Sequence, residues 1–319
     1  MSFLTKLSQV FSKNKSSQRL AFAFQQQGVS LCSIPALTEG GAIDVQQAAK
    51  VTFQFEKVIA ANFSQAIANL HDKCELTGSA SLVLNEAQSQ VVQVDKPSLP
   101  DNEINGALKW QIKDLVSIAP ENMVLDYYDA PILSGGKEKI NVVCAPLDEL
   151  KKLVEATEQG SVKITRIITQ EFAFANLLPV QNDAKLLMCQ QPNEEIVLLI
   201  VKQGKIFFHR RLRGFGQVAS KSLEELNFSV VDNLSLEIQR STDYFERQLK
   251  QAPIKGIEVL LPIELENALI DKLAKNFAVP VSLLEIPRPY HQHREFAAAI
   301  GASMAGLSLN EEAIVEHSL

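Results

Sequence analysis

The chain has 319 residues, 46% of them apolar, and a formal net charge of −6. Such a length suggests about two domains of ~150 residues, the apolar fraction supports a large core, and the acidic balance argues against non-specific nucleic-acid binding. Four cysteines, Cys32, Cys74, Cys144 and Cys189, stand far apart with no CxxC pair; this argues against a zinc site or a disulfide framework and suits the reducing cytosol.

Residues 1–17, MSFLTKLSQVFSKNKSS, have neither the apolar core nor the cleavage site of a signal peptide. Phe3, Leu4, Leu7 and Phe11 share one helical face with Val10, and Lys6, Lys13 and Lys15 lie outside it. This amphipathic segment is a candidate for peripheral contact with an anionic membrane surface, the alternatives being a frayed leader or a helix docked on its own domain. No apolar run reaches the ~20 residues of a membrane span.

Two strands follow, 19–25 and 28–34, the first alternating Phe22 and Phe24 with Ala21 and Ala23. A third strand falls within 42–55. The spacing of Phe55, Val58, Ile59, Phe63, Ile67 and Leu70 then predicts a helix to His71. Strands at 79–85 and 90–94 complete a first lobe, 18–95, and Lys96-Pro97-Ser98-Leu99-Pro100 marks a boundary. An inserted α/β subdomain, 96–166, contains a helix at 102–117 with Ile104, Leu108, Ile112 and Leu115 inward. It continues with strands 123–132 and 139–146 joined through Ser134-Gly135-Gly136, a helix at 147–159 and a strand at 163–168.

A crossing helix occupies 167–183. The second lobe, 184–290, holds a strand at 185–189, a hairpin 195–201/205–211 turning at Gln203-Gly204, helical text at 217–249, a strand at 257–261, a helix at 264–277 and a strand at 280–286. A closing helix, 295–307, and a tail make up 291–319. The Ala and Gly content of that helix permits close approach to another backbone.

The second lobe is built around the helix at 232–249. Leu234, Ile238, Phe245 and Leu249, with small Ser241 between them, form one apolar stripe. Asp232 or Asn233 is the expected cap, and Asp243–Arg247 and Glu246–Lys250 are expected i,i+4 pairs.

Compact chemistry is scarce. His209-Arg210-Arg211-Leu212-Arg213-Gly214 is a basic cluster that could hold phosphate or an acidic partner, or simply be a strand end with solvated arginines. His291-Gln292-His293 has no further ligands nearby to complete a metal set. Asp126-Tyr127-Tyr128-Asp129 reads as a strand with alternating rings. GxSxG, Walker A and GxGxxG motifs are absent.

The segment SLEIQRSTDYFERQ, 235–248, resembles the "EIxRSLDYF" helix of the PilM family, actin-like cytoplasmic proteins of type IV pilus assembly. ALKWQIKDLVSIAPENMVLDYYDAPIL, INVVCAPLDELKKLVE, ITRIITQEFAFANLL, GKIFFHRRLRGFG and AAAIGASMAGL are similar to later pieces of that family in the same order, covering about residues 17–308. The style of the first residues looks most like the MSHA-pilus branch; a type II secretion relative shares the fold but continues into a membrane helix.

The resemblance implies an α/β, actin-like (ribonuclease H-like) two-lobed fold with an inserted α/β subdomain in the first lobe. It also implies a cytoplasmic place at the inner face of the bacterial inner membrane, and a PilN-like single-span partner whose cytoplasmic tail docks between the first lobe and its insertion. Trp110, Tyr127 and Tyr128 are candidate contacts, as aromatics are favoured anchors, the alternative being ordinary packing within the insertion; the assembly ATPase is a further candidate partner.

The family's nucleotide motifs fall on altered residues. "GxDxGxxxxK" falls on Ala21, Ala23, Gln25 and Ser30, "DxG" on Gln190 and Pro192, and the adenosine-side Gly-Gly on Leu261-Pro262, where bulky side chains would occupy the nucleotide's space. No Asp-x-Gly occurs anywhere in the chain. The expectation is therefore a scaffold with no cofactor and no catalytic residue; a nucleotide-binding ATPase or sensor of the same machinery is the alternative.

Overall fold

A computed structural model describes residues 18–35, 51–131, 137–287 and 290–305. The candidate membrane contacts Phe3, Leu4, Leu7 and Phe11 lie outside them, as do the Ser134-Gly135-Gly136 turn and the C-terminal tail. In chain order the first lobe opens with β1 (Gln18–Gln25), β2 (Gly28–Pro35), β3 (Thr52–Lys57), α1 (Phe63–Lys73) and β4 (Thr77–Leu84). The insertion supplies β5 (Gln90–Asp95), α2 (Asp101–Gln111), β6 (Met123–Asp129) and β7 (Lys139–Pro146). The chain then forms α3 (Leu147–Thr157), β8 (Ser161–Thr169) and the crossing helix α4 (Gln170–Ala175). The second lobe contains β9 (Lys185–Cys189), β10 (Ile196–Lys202), β11 (Lys205–Leu212), α5 (Val231–Asp243), β12 (Ile257–Leu260), α6 (Glu266–Leu273) and β13 (Val281–Leu283), and α7 (Ala297–Ser303) closes the chain.

The two large sheets have the same plan. One runs β3-β2-β1-β4-β8 and the other β11-β10-β9-β12-β13. In each, three antiparallel strands are followed by two parallel ones. This is the two-lobed, actin-like arrangement.

Alternation decides what each face meets. Leu20, Phe22 and Phe24 of β1 point outward into a core with α1 and α3, and Leu186 and Met188 of β9 point outward toward α5. The inward residues Ala21, Ala23, Leu187 and Cys189 share a single core with α4 and α7, which lie between the sheets. Small residues on the inner face of β1 let α7 come close. Gly301 of α7 is tighter still: a Cβ there would lie 1.9 Å from the carbonyl oxygen of Ala173, so the closing helix approaches a backbone as its composition suggested.

Several boundaries differ from the sequence reading. The helix expected from Phe55 begins only at Phe63, because Phe55 belongs to β3 and left-handed Ala60 and Ala61 (φ 51° and 56°) turn the chain before Asn62 caps α1. α2 stops at Gln111, leaving Leu115 58% exposed rather than inward. β5 pairs with β7 in a three-stranded sheet, so the insertion's sheet begins at Gln90, ahead of the Lys96-Pro97 boundary. β8 pairs with β4 and α3 packs with α1 in the first lobe's core, so both belong to that lobe and not to the insertion.

The long helix is capped at Ser222, not at Asp232 or Asn233. Ser222 Oγ accepts from Glu225 N at 3.2 Å and Glu225 Oε2 accepts from Ser222 N at 2.9 Å. From there the chain passes through a π-helical stretch, Leu226–Val230, into α5, and leaves through a second, Tyr244–Gln248. Leu234, Ile238, Ser241, Phe245 and Leu249 are all buried. The wider second turn keeps Phe245 and Leu249 on one face at a spacing where a pure α-helix drifts. The Asp243–Arg247 pair forms at 3.7 Å between exposed side chains. Glu246–Lys250 is not among the described ion pairs, and Lys250 has already turned left-handed (φ 53°).

Candidate functional site

The cleft between the lobes is bounded by the turn of the β1–β2 hairpin and the loop from β9 to β10. The resemblance described above would put carboxylate and glycine at these places. Here they carry amides, and the amides are engaged. Gln25 donates to Ser30 Oγ at 2.6 Å across its own hairpin. Gln190 donates to the carbonyl oxygens of Glu194 and Phe215, the latter at 3.2 Å, which closes its loop internally. Pro192 has no N–H to offer.

Direct contacts span the cleft. Gln191 of the second lobe donates to the Phe24 carbonyl oxygen of the first at 3.1 Å. Glu194 accepts from the backbone N–H of Gln26 at 3.0 Å and from Asn85 Nδ2 at 3.4 Å. Arg211 of β11 reaches Glu86 at the end of β4 and Glu171 on α4, each at 2.9 Å. Gln170 completes the group: with its amide oxygen toward Arg211 and its nitrogen toward Glu194, it accepts from Arg211 Nη1 at 2.9 Å and donates to Glu194 Oε2 at 3.1 Å.

Electrostatics follow from this burial. Loss of solvent pushes the Glu194 carboxyl up to about 7, against the lowering effect of the Gln26 N–H, Arg211 and Asn85. Burial lowers the His209 imidazole, and Glu171 and Arg211 act on it with opposite signs. Burial also pushes the Cys32 thiol up to about 12 and raises Cys189, so these behave as inert core thiols.

The remaining sequence candidates divide. Ala21 and Ala23 are fully buried under α7. Leu261 turns into the outer core beside α5, so the expected obstruction of the cleft by this residue is not found; its N–H is held by Glu266 Oε1 at 2.6 Å. Half-buried Pro262 follows it. Glu266 in turn meets Arg294 at 2.7 and 2.8 Å.

The basic cluster is neither an open phosphate site nor a row of free arginines, since Arg210 pairs with Glu237 of α5 at 2.8 Å and Arg211 belongs to the cleft network. His293 stacks on Phe53 at 4.1 Å, and no group of three or more potential metal ligands occurs among the described residues. Trp110, Tyr127 and Tyr128 do not share a surface. Trp110 is 67% exposed on α2, Tyr127 packs in the insertion's own core, and Tyr128 lies on the opposite face of that sheet.

Sequence reading missed Asn85, Glu86, Gln170, Glu171, Gln191 and Glu194. The available signal was the run Gln25-Gln26-Gln27 matched by Gln190-Gln191, amides at both hairpin ends.

Paired sheets around two central helices, an insertion after β4 and a cleft spanned by side chains define an actin-like two-lobed protein. No protein-family model and no curated protein matches the sequence. Among solved structures, the chain is similar to the PilM-PilN type IV pilus biogenesis complex at 16% identity and a TM-score of 0.61, over 92% of this chain and 99% of that one. It is also similar to the cytoplasmic domain of EpsL, an inner-membrane component of the type II secretion system of Vibrio cholerae (12% identity, TM-score 0.49, 77% and 83% covered). A protein with an actin-like ATPase fold from Bacteroides thetaiotaomicron matches at 10% identity and a TM-score of 0.48, covering 92% and 98%. No described helix is long and apolar enough to cross a membrane.

Proposed function

We propose that this chain is a non-catalytic scaffold of a type IV pilus assembly platform of MSHA type, acting at the inner face of the bacterial inner membrane. It binds the cytoplasmic tail of a PilN-like single-span protein. The observation that carries this reading is the network across the cleft. A triphosphate with magnesium needs carboxylates to organise the metal and free backbone amides to approach phosphate. In this chain an internal carboxylate, Glu194, already takes the Gln26 N–H, and the aligned carboxylate positions are Ala23 or Gln190. The residues present do not fit that ligand.

The fold shared with PilM, together with the ordered resemblance of the sequence segments, supports a partner-binding role. Trp110 is the exposed aromatic anchor on the insertion. Contact with the assembly ATPase, and membrane contact through Phe3, Leu4, Leu7 and Phe11, belong to the same reading.

Two measurements test it. Thermal unfolding with Mg-ATP should show no magnesium-dependent rise; a ligand at 100 times its Kd adds ~2.7 kcal/mol, so a clear rise would favour the nucleotide-binding alternative. Affinity capture with the cytoplasmic tail of a PilN-like protein from the same organism should retain the purified protein and lose it on Trp110→Ala. Failure to retain the wild type removes the tail-binding role.

A further inference from the structure

The insertion's sheet covers one face with α2 and leaves the other open. Gln93, Asn141 and Tyr128 are cross-strand neighbours on that open face, opposite the strand positions that carry Val92, Val142 and Tyr127 into the insertion's core. The open face forms one wall of a groove of about 300 Å³ whose other wall is second-lobe Phe207, Phe208, His209 and Tyr244. Three features define its chemistry.

Aromatic rings come from both walls: Tyr128 packs edge-on against Phe172 at 4.9 Å, and Phe208 lies against Tyr244 at 5.5 Å. β11 is the edge strand of its sheet, and its outer side makes no backbone hydrogen bond among the described residues. The charged groups lining the groove are Lys137 and Lys139, with no carboxylate among them, although the chain as a whole is acidic. Lys137 reaches Asp95 only at 3.7 Å, both side chains being exposed, a pairing worth little in solvent.

We infer that this groove, between the open face of the insertion sheet and β11, docks an extended acidic peptide of a protein partner. The edge strand supplies main-chain donors and acceptors in a row, the rings take alternate apolar side chains, and the two lysines select carboxylates. It is separate from the tail-binding role proposed above, which is assigned to the junction of the first lobe and its insertion.

The test uses the full chain and two fluorescein-labelled dodecapeptides alternating valine with either glutamate or lysine, followed by fluorescence anisotropy. The glutamate peptide should bind, weaken at high salt, and weaken at least tenfold on the double substitution Lys137→Glu, Lys139→Glu. The lysine peptide should not bind the wild type. Lys151→Glu on the exposed side of α3 should leave binding unchanged, and matched thermal melts would show that all variants fold. The inference is overturned if the glutamate peptide does not bind, if the double variant binds it as well as wild type does, or if the lysine peptide binds equally. Light scattering that shows the groove holding a second copy of this chain, with dimerisation lost on Tyr128→Ala, would also overturn it.

Discussion

Glu194→Gln is the substitution that examines the cleft most directly. Burial holds the Glu194 carboxyl at about 7, against an ordinary glutamate value of ~4.3, and at about 1.4 kcal/mol per pKa unit this costs the charged form about 4 kcal/mol. The folded state therefore holds this proton more tightly than the unfolded chain. Stability from Glu194 is greatest below the unfolded value and is lost as pH rises through about 7. Glutamine retains an oxygen to accept from the Gln26 N–H and carries no charge to desolvate, but it gives up the attraction of Arg211, so about 4 kcal/mol is an upper bound on the swing. Urea unfolding of both proteins at intervals from about pH 5 to pH 8 measures the difference. The advantage of the variant should grow from pH 5 to about pH 7 and level above the folded pKa. A gap that is independent of pH, or that favours wild type at high pH, would refute the desolvation argument.

Other perturbations probe the frame. Gly301→Val places a side chain where the Ala173 carbonyl lies 1.9 Å from the Cβ position. It should cost at least the ~1–3 kcal/mol typical of overpacking, about 2–5 °C or more in melting temperature. Arg294→Met strips the partner from buried Glu266, whose carboxyl is already raised by burial. Loss on the order of 3–5 kcal/mol is expected, larger at pH 8 than at pH 5 because the orphaned carboxyl becomes protonated in acid, and parallel denaturation curves would show it. Ile238→Ala, on the fully buried stripe of α5, should cost about 2–5 kcal/mol in urea; a cost near zero would mean that the helix does not organise the second lobe.

Much of the fold was legible because strands and helices leave periodic marks. The large–small alternation of β1, the Gln203-Gly204 turn with both residues left-handed (φ 53° and 70°), and the α5 stripe were all readable one segment at a time. The amides at both hairpin ends, Gln25-Gln26 and Gln190-Gln191, were legible too, since that requires only residue identity and order.

Tertiary structure decided what those amides meet. Glu194, Asn85, Gln170 and Arg211 are separated by as many as 126 positions in the sequence and meet only when two sheets close on α4 and α7. No local pattern marks such a contact. The same reason explains β8, whose text reads as a continuation of the insertion until its pairing with β4 is seen. It explains Leu261 as well: one residue of register determines whether a side chain faces the cleft or the outer core, and pairing with β9, not propensity, sets that register. Residue identity by itself thus fixed which chemical groups were available. The closing of the lobes decided which of them were buried together, and burial is what turned a glutamate in a short loop into the centre of the cleft.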